Sequence, residues 1–514
     1  MLVNEARHVD VSKNRKFVFP FVLICIFMLF VLYSVSGVDG FAPGHMGFAG
    51  PDLLGTARNL DHTGYFLARL VAPDGVVAAY NHHPPMGFWF FNIVTDTGSD
   101  SSDVLAVAYF FAALISALGW LFLFYVFFKL KKDILSATMA IIAVGSAMLF
   151  VHYRAFTTFD VFSVLCSSIL FLAACQIVSI KEKIATKSFW LLALGMIAAI
   201  SFSWYSVSII FVLIMYMGIQ NFRNREVLKQ AIGLAAVSGG YFILLWVWIL
   251  GSVVLQAGDL SSVKHFFELN TSMVAIPQRT FTAEFTIQTL LSHFRATLPL
   301  KFLAVSVCLF VLGKIFSLVK RQKVLTSIVR VDERGTLIAT CLFLFGWLLF
   351  ILLTRAWSVV HPFAFLYLAA PLVYLTYLVV EAVYFNRALK VTIAMLVLVN
   401  AFANYRDRRE QDHTVGKLTR GLLTLLDTEF QKGFVFKGDM FNYCGHVNPG
   451  IFFYMASSPN YAAKPGSDYG DDLVEFNCVD NPKGVIEFTS LKKKKIFTIR
   501  NESPNYETRD LESR

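Results

Sequence analysis

Charged residues are scarce in this sequence. Only 16% of its 514 residues are Asp, Glu, Lys or Arg, whereas 56% are hydrophobic, and the mean hydropathy is +0.60. A chain this apolar is not an ordinary soluble globule, and several of its apolar runs reach the roughly 20 residues needed to cross a bilayer. The sequence also lacks an internal repeat of the kind that marks a secondary transporter with two matching halves. We therefore predict a polytopic membrane protein.

Metal-ligand spacing is missing among the seven cysteines. Five of them lie in apolar runs, where Cys usually behaves as a small hydrophobic residue. Cys444 and Cys478 lie in the polar C-terminal region, where a disulfide and two free thiols are equally compatible with the sequence. No small-residue cleavage site follows the apolar run Phe17–Gly37, so we interpret this run as a retained span rather than a signal peptide.

The net charge of +10 comes largely from short basic clusters between the apolar runs. Such clusters orient helices in a membrane, and we exclude nucleic acid as a partner. If the amino terminus is cytoplasmic, every cluster falls on one side, as the positive-inside rule requires. The predicted spans number about eleven: 17–37, 104–128, 134–152, 159–179, 188–201, 205–220, 231–252, 302–319, 336–354, 360–384 and 389–403.

This topology sends four longer regions to the outer face: the loop 38–103, the turn 153–158, the loop 253–301 and the tail. The tail changes to a soluble composition with short alternating runs, which are typical of strands. We predict an all-α polytopic membrane bundle over residues 1–403, followed by a small extracytoplasmic α/β or mostly β domain over residues 404–514.

The loop 38–103 is too long to be a simple connector and has the composition of a site. Two stretches, 52–60 and 65–70, show mixed helical periodicity and predict short amphipathic helices on the membrane surface. Just before the second span, His82 and His83 precede two prolines that hold the backbone extended. These histidines are candidate phosphate ligands, and the alternative is a surface pair before a proline turn.

Three carboxylates are candidates for the chemistry. Asp39 and Asp52 belong to the first loop, where a carboxylate near Arg58 at the membrane surface can take a proton from an acceptor hydroxyl. Their alternative is a solvated loop carboxylate. Asp160 opens an apolar span, where an ionisable residue is a functional candidate by default, although it also suits a helix N-cap.

Basic residues on the predicted outer face are unexpected under the positive-inside rule. They are therefore candidates for binding an anion, the alternative being contact with the surface or with lipid headgroups. This group contains Arg154, Arg279 and Arg355, with His361 beside the start of the tenth span.

Taken in order, these pieces resemble the GT-C glycosyltransferase superfamily, in particular its protein O-mannosyltransferase and lipid A aminoarabinose transferase branch. The resemblance covers the membrane part of the chain and depends on the order and membrane side of several short pieces. They are Ala57–Leu60, the run His-Pro-Pro-Met-Gly-Phe-Trp at 83–89, the pair Arg154 and Asp160, and His361 with Pro371.

The resemblance implies a GT-C fold and an enzyme that transfers a hexose or pentose from a polyprenyl-phosphate carrier with inversion at the anomeric centre. It implies Asp160 as a second carboxylate and His83 as the phosphate ligand, supported by His82, Arg58 or Arg154. The family's Asp-Glu pair is absent near Ala49, so the general base is Asp52 or Asp39. His83 stands where the family has Lys, which makes the phosphate contact pH-sensitive.

A polyprenyl phosphate leaves the membrane only at great free-energy cost, since each buried CH₂ contributes about 0.8 kcal/mol. An enzyme must therefore meet its sugar at the bilayer surface, with cations for the phosphate and a base for the attacking hydroxyl. The expected partners are the lipid-linked sugar donor, a glycan, lipid or protein acceptor, and the lipid bilayer. Assistance by a divalent cation is left open, because no three-ligand cluster is visible.

The leading hypothesis is a glycosyltransferase in a bacterial inner membrane, acting at the outer face, with its carboxy-terminal domain in the periplasm. The alternative is a transporter or flippase of a lipid-linked anionic saccharide. That alternative accounts for the outer-face cations. It also predicts internal repeats and ionisable residues in the middle of the membrane, whereas most of the predicted spans contain no ionisable residue there.

Overall fold

In the computed structural model, the described residues are 11–38, 68–71, 76–79, 84, 86–94, 101–130, 132–155, 159–257, 283–319, 333–354, 362–384, 386–429, 434–437, 472–480, 485–490, 493–500 and 506–511. The helices in this part of the chain are α1 (Val11–Tyr33), α2 (Met86–Val94), α3 (Ser101–Lys129), α4 (Ile134–Gly145), α5 (Met148–His152), α6 (Ser163–Ser179), α7 (Thr186–Phe202), α8 (Tyr205–Gln220), α9 (Arg225–Ala257), α10 (Ala283–Thr297), α11 (Leu300–Val319), α12 (Arg334–Leu353), α13 (Ala369–Val383) and α14 (Arg387–Glu429). Two 3-10 helices, η1 (Phe159–Phe162) and η2 (Pro362–Leu368), precede α6 and α13.

Within the described residues, five helical segments are long and apolar enough to cross a membrane: Leu105–Lys129, Arg225–Gly251, Arg334–Leu353, Pro362–Val383 and Arg387–His413. Six shorter apolar helical segments occupy the positions of the remaining predicted spans. The fold is therefore that of a multi-pass helical membrane protein, and the number of eleven crossings stays a prediction. The predicted break between the fifth and sixth spans is present, because α7 ends at Phe202 and α8 begins at Tyr205.

The centre of the bundle is formed by α4 and α13, which pack against each other. Every residue of α4 from Leu135 to Gly145 is buried. A second close contact joins α12 to α8, where a Cβ added to Gly346 would lie only 2.6 Å from the Cα of Ile209. Glycine is therefore required at this crossing, because a methyl group would push the two backbones apart.

Ion pairs hold the end of the bundle at which α3 finishes. Lys132 Nζ lies 2.6 Å from Glu333 Oε2, which also accepts a 2.9 Å hydrogen bond from the Tyr374 hydroxyl. Close by, Glu381 accepts hydrogen bonds from Lys390 Nζ and the Ser136 hydroxyl, each at 2.5 Å. These side chains connect the α3–α4 turn to α12, α13 and α14, so that charged groups are paired where they are taken out of water.

The C-terminal sheet contains β3 (Phe434–Lys437), β4 (Asp472–Asp480), β5 (Val485–Ser490), β6 (Lys495–Arg500) and β7 (Tyr506–Asp510), in sequence order. β3 and β4 are parallel, and the later neighbours are antiparallel. Cys478 is disulfide-bonded, whereas Cys444 lies outside the described residues. The C-terminal sheet confirms the strands predicted for the α/β or mostly β tail. The domain boundary predicted at residue 404 stays a prediction, and α14 runs through that position.

The first loop contains a hairpin of β1 (Ala68–Val71) and β2 (Val76–Ala79). The helix predicted over residues 65–70 is therefore wrong from Ala68 onward. The β-branched residues Val71, Val76 and Val77 within the paired strands favour a strand over a helix.

Candidate active site at the first-loop end of the bundle

The helix that follows the His-Pro-Pro motif packs directly on the 3-10 helix that contains Asp160. Phe90 of α2 contacts Phe162 of η1 edge to face, with ring centroids 5.2 Å apart. Phe162 in turn stacks on Phe202 of α7 at 3.8 Å. Gly87, Phe88 and Phe91 are buried on the same short helix. Two sequence pieces that are about seventy residues apart are therefore held together by aromatic packing.

Tryptophan side chains surround the other side of α2. Trp89 contacts Trp248 of α9 at 5.4 Å, and Trp204 stacks on Trp246 at 5.7 Å. Because Trp is enriched where a membrane meets water, this cluster indicates the level of an interface. It lies at the end of the bundle where α1 finishes and the first loop begins, which we call the first-loop end.

A cleft of about 990 Å³ opens at this end between α5, α10, α11 and α14. Its lower wall, the part farther from the first loop, is apolar. This wall includes Met148, Val305 and Leu396, each at least half exposed on the outside of the bundle. Its upper wall, the part nearer the first loop, contains polar and charged residues. The volume is at the upper end of the range for small-ligand pockets, and the division into apolar and polar walls suits an amphiphile.

Cations outnumber carboxylates in the polar wall. Arg295, Lys301 and Arg408 line it, together with His152 and His293. The carboxylate in this wall is Asp407, which pairs with Arg406 at 2.9 Å. Asn404 is also part of the wall and donates a 2.9 Å hydrogen bond to the Ser146 carbonyl oxygen. The wall therefore has a positive potential suited to a phosphate group.

Arg408 is the least exposed of the three cations Arg295, Lys301 and Arg408, with a side chain that is 11% exposed. Its Nη2 lies 2.8 Å from Asp412 Oδ1, yet the contact is not aligned as a hydrogen bond. Within the described residues, Nε and Nη2 are buried and have no hydrogen-bond partner. Because Arg408 also lines the cleft, its guanidinium adds to the positive charge that an anionic ligand there would meet.

Arg154, by contrast, forms hydrogen bonds and an ion pair with other residues of the protein. Its guanidinium donates to Ser34 Oγ at 2.5 Å, to the Ser34 carbonyl oxygen at 2.8 Å and to the Val151 carbonyl oxygen at 3.2 Å. It also forms a 2.8 Å ion pair with Asp412. Arg154 is 2% exposed and Asp412 is 3% exposed. Its predicted phosphate contact stays a prediction, and the contacts present join three helical segments.

The backbone of Asp160 is described within η1, whereas the remaining predicted site residues lie outside the described residues. Those residues are Asp39, Asp52, Arg58, His82, His83, Arg279, Arg355 and His361. Sequence reasoning missed Arg295, Lys301, Arg408 and Asp412. The signal for the last two was the spacing of four between Arg408 and Asp412 at the end of the final apolar run, which places them on one helix face.

No group of three or more His, Cys, Asp or Glu side chains in the described part of the chain is arranged to hold a metal ion. The assistance of a divalent cation therefore stays an open prediction.

No protein-family model and no curated protein matches the sequence. Among solved structures, the chain is similar to ArnT from Cupriavidus metallidurans bound to undecaprenyl phosphate, with a TM-score of 0.56 and 11% identity, over 89% of this chain and 92% of that chain. The chain has a GT-C fold. The fold that the sequence motifs predicted is thereby confirmed. The chain is also similar to the Archaeoglobus fulgidus oligosaccharyltransferase tethered with an acceptor peptide, with a TM-score of 0.44 and 12% identity, over 77% of this chain and 55% of that one.

Proposed function

We propose that this GT-C protein is a glycosyltransferase that moves a sugar from a polyprenyl-phosphate-linked donor to an acceptor. The observation that carries the proposal is the cleft, which combines an apolar wall on membrane-spanning helices with a cationic wall at the first-loop end. The similar ArnT structure is bound to undecaprenyl phosphate, a ligand with the same division into hydrocarbon and phosphate. We expect the first-loop end to face the outside of a bacterial inner membrane, as the basic clusters predict.

The lipid carrier explains why such a cleft is useful. A polyprenyl chain remains in hydrocarbon because each buried CH₂ stabilises it by about 0.8 kcal/mol. The exposed apolar side chains of Met148, Val305 and Leu396 lie where that chain would enter from the side. Arg295, Lys301 and Arg408 then meet the phosphate at the upper wall, where charge-assisted hydrogen bonds hold it.

The reaction needs a base, an electrophile and a stabilised leaving group. The acceptor hydroxyl attacks the anomeric carbon, and Asp52 or Asp39 takes the hydroxyl proton. The bond between the anomeric carbon and the phosphate oxygen breaks, and the polyprenyl phosphate leaves with that electron pair. Its negative charge is stabilised by His83 with Arg58 or His82, and by the cleft cations. Asp160 serves as the second carboxylate, on the 3-10 helix that supports α2.

The acceptor is a glycan, lipid or protein, and the transferred sugar is a hexose or pentose. The expected orientation has a cytoplasmic amino terminus and a periplasmic C-terminal sheet. This orientation brings the cleft, the first loop and the sheet to the same side as the sugar of an outer-leaflet donor.

Donor kinetics of matched arginine variants test the role of the cleft. Arg408 lines it, whereas Arg406 is two residues away on the same helix, half exposed and paired with Asp407. We expect Arg408→Gln to raise the KM for a labelled undecaprenyl-phosphate sugar at least tenfold in lipid nanodiscs, and Arg406→Gln to leave it unchanged. Equal donor KM values in both variants and the wild type would remove the cleft from the account. If the labelled lipid crosses the bilayer but its sugar is not transferred, the result would instead favour a flippase.

A further inference from the structure

One short segment of α14 holds the turn that follows α1. Arg409 Nε donates a 2.8 Å hydrogen bond to the Ser36 carbonyl oxygen, and its guanidinium lies 4.9 Å from the centre of the Tyr33 ring. His413 Nδ1 is 3.1 Å from the carbonyl oxygen of Gly37, which has a φ of +71°. We call Arg409, Asp412 and His413 the α14 clamp. Through these contacts the turn between α1 and Val38 is held against α14.

The clamp also holds the turn that leads to Asp160. Asp412 pairs with Arg154, which follows α5 by two residues. Arg154 simultaneously donates to both the hydroxyl and the carbonyl oxygen of Ser34. We call the turn 34–38 the α1 exit and residues 153–155 the α5 exit. One buried guanidinium therefore joins the α1 exit, the α5 exit and α14. Its four hydrogen bonds use most of the five N–H groups that an arginine has.

Both of the clamped segments lead directly to predicted catalytic carboxylates. The α1 exit is described as far as Val38, and Asp39 is the next residue of the chain. The α5 exit is followed, six residues after Arg154, by Asp160 within η1. The first loop also contains Asp52. The general base and the second carboxylate thus come from two segments whose starting points are held by a single side chain.

A buried ion pair is a poor choice for stability alone, since well-packed apolar residues of the same volume are often as stable. Arginine nevertheless offers something that they do not, because its planar fork fixes the direction of several partners at once. An oriented connection between segments is what a reaction requires when its base and its second carboxylate come from different loops, because small misplacements reduce rates strongly.

We propose that Arg154 is a positioning residue, which together with Asp412 and Ser34 fixes the turn after α1, from which the first loop starts, relative to the turn after α5, which leads to η1. This proposal rests on the proposed function for its catalytic consequence and on the hydrogen bonds above for its structural one. It is an alternative to the phosphate contact expected for Arg154 from the sequence, and the experiment below distinguishes the two.

The test compares Arg154→Lys, Arg154→Gln and Ser34→Ala with the wild type. The control is Arg406→Lys, which changes an exposed arginine of α14, the helix that contains Asp412. Lysine keeps the charge but lacks the fork. We expect kcat for sugar transfer to fall at least tenfold in both Arg154 variants, with the donor KM changing less than threefold. We expect a smaller fall in kcat for Ser34→Ala, which removes one acceptor and no charge.

Two kinetic results would overturn the proposal. If Arg154→Lys keeps full activity while Arg154→Gln raises the donor KM, the residue binds phosphate. If kcat per folded molecule is unchanged in every variant while thermal stability falls, its role is structural only.

Amide hydrogen exchange of the ligand-free protein separates these failures from a failure of the proposed function. We expect Arg154→Lys to accelerate exchange both at residues 34–38 and at residues 159–162, and Arg406→Lys to change neither. If the wild type consumes no donor, the proposed function fails while the exchange result still decides whether Arg154 couples the two segments. Unchanged exchange at both segments would contradict the coupling itself.

Discussion

Phe90 and Phe162 meet edge to face with ring centroids 5.2 Å apart, so the helix after the His-Pro-Pro motif rests on the 3-10 helix that contains Asp160. This contact ties the proposed phosphate-binding motif to the proposed second carboxylate. Because Phe90 also touches Phe111 of α3, at 6.3 Å, the support extends into the membrane bundle.

Replacing Phe90 by Ala tests that support. We expect Phe90→Ala to lower kcat for sugar transfer about tenfold and to destabilise the fold by about 3 kcal/mol or less, since the side chain is only partly buried. Phe110→Ala is the matched control, because Phe110 is the residue before Phe111 in α3 and is 48% exposed. A Phe90→Ala enzyme with wild-type kcat would show that this contact does not position the site.

Much of this architecture could be predicted from local sequence. Apolar runs mark the helices, and the break near Ser203 was visible because Ser203 and Trp204 interrupt two runs that are each short for a span. The motif before α2 was visible because its histidines, prolines and aromatic residues are contiguous. Each of these features depends on residues that are close in the chain.

The cleft and the Arg154 contacts could not be predicted in the same way. Arg154 and Asp412 are 258 residues apart, and the cleft wall combines Ser146 from the turn between α4 and α5, Arg295 from α10 and Arg408 from α14. A sequence read alone shows Asp412 as part of a polar tail beginning near residue 404. The structure shows it 3% exposed, on a helix that continues for seventeen more residues to Glu429.

The close crossing of α12 and α8 predicts a strong effect of one methyl group. Gly346→Ala would place a Cβ 2.6 Å from the Cα of Ile209, and we expect a loss of about 1–3 kcal/mol in unfolding free energy from overpacking. Gly240→Ala in α9 is the control, because a Cβ there meets nothing within 4 Å. It should be neutral or slightly stabilising, since Ala favours a helix by up to about 1 kcal/mol over Gly. Thermal unfolding in detergent compares the two, and equal midpoints would contradict the predicted crossing.

The buried ion pair at the opposite end of the bundle should matter more than an exposed one. Glu333 is 7% exposed and contacts both Lys132 and Tyr374. We expect Glu333→Gln to lower the unfolding free energy by about 3–5 kcal/mol, because it leaves Lys132 charged and unpaired out of water. Glu226→Gln should lower it far less, since Glu226 pairs with Lys183 and Lys229 at the surface, where water screens both pairs. Similar losses in the two variants would mean that Lys132 finds another partner or water.

The junction between α14 and the C-terminal sheet should weaken in acid. Glu429 at the end of α14 accepts hydrogen bonds from Lys493 Nζ at 3.0 Å and from the Tyr506 hydroxyl at 3.1 Å. The Lys493 hydrogen bond is the main reason that the pKa of Glu429 is held below its usual value. A carboxylate with a lowered pKa stabilises the docked state above its ordinary pKa, and this stability is lost as the pH falls through the lowered value.

We therefore expect the sheet to be fully docked at neutral pH and to loosen below about pH 4, by no more than about 1 kcal/mol because the pair is partly exposed. Amide exchange in β7, corrected for its intrinsic pH dependence, measures this loosening. Glu429→Gln should exchange faster than the wild type at pH 7 and lose most of the pH dependence. A wild-type junction with constant protection from pH 7 to pH 3 would contradict the role of this carboxylate.

Release of polyprenyl phosphate is the most direct test of the account. The purified protein in lipid nanodiscs would be given a panel of labelled undecaprenyl-phosphate sugars, with and without acceptor extracts, alongside Asp52→Asn and Asp39→Asn. We predict that the wild type releases polyprenyl phosphate from at least one donor, that one of the two variants loses this activity, and that both variants still bind the donor. If the wild type binds these lipids but releases no polyprenyl phosphate from any of them, or if both variants turn over normally, the proposed chemistry or its proposed base is wrong.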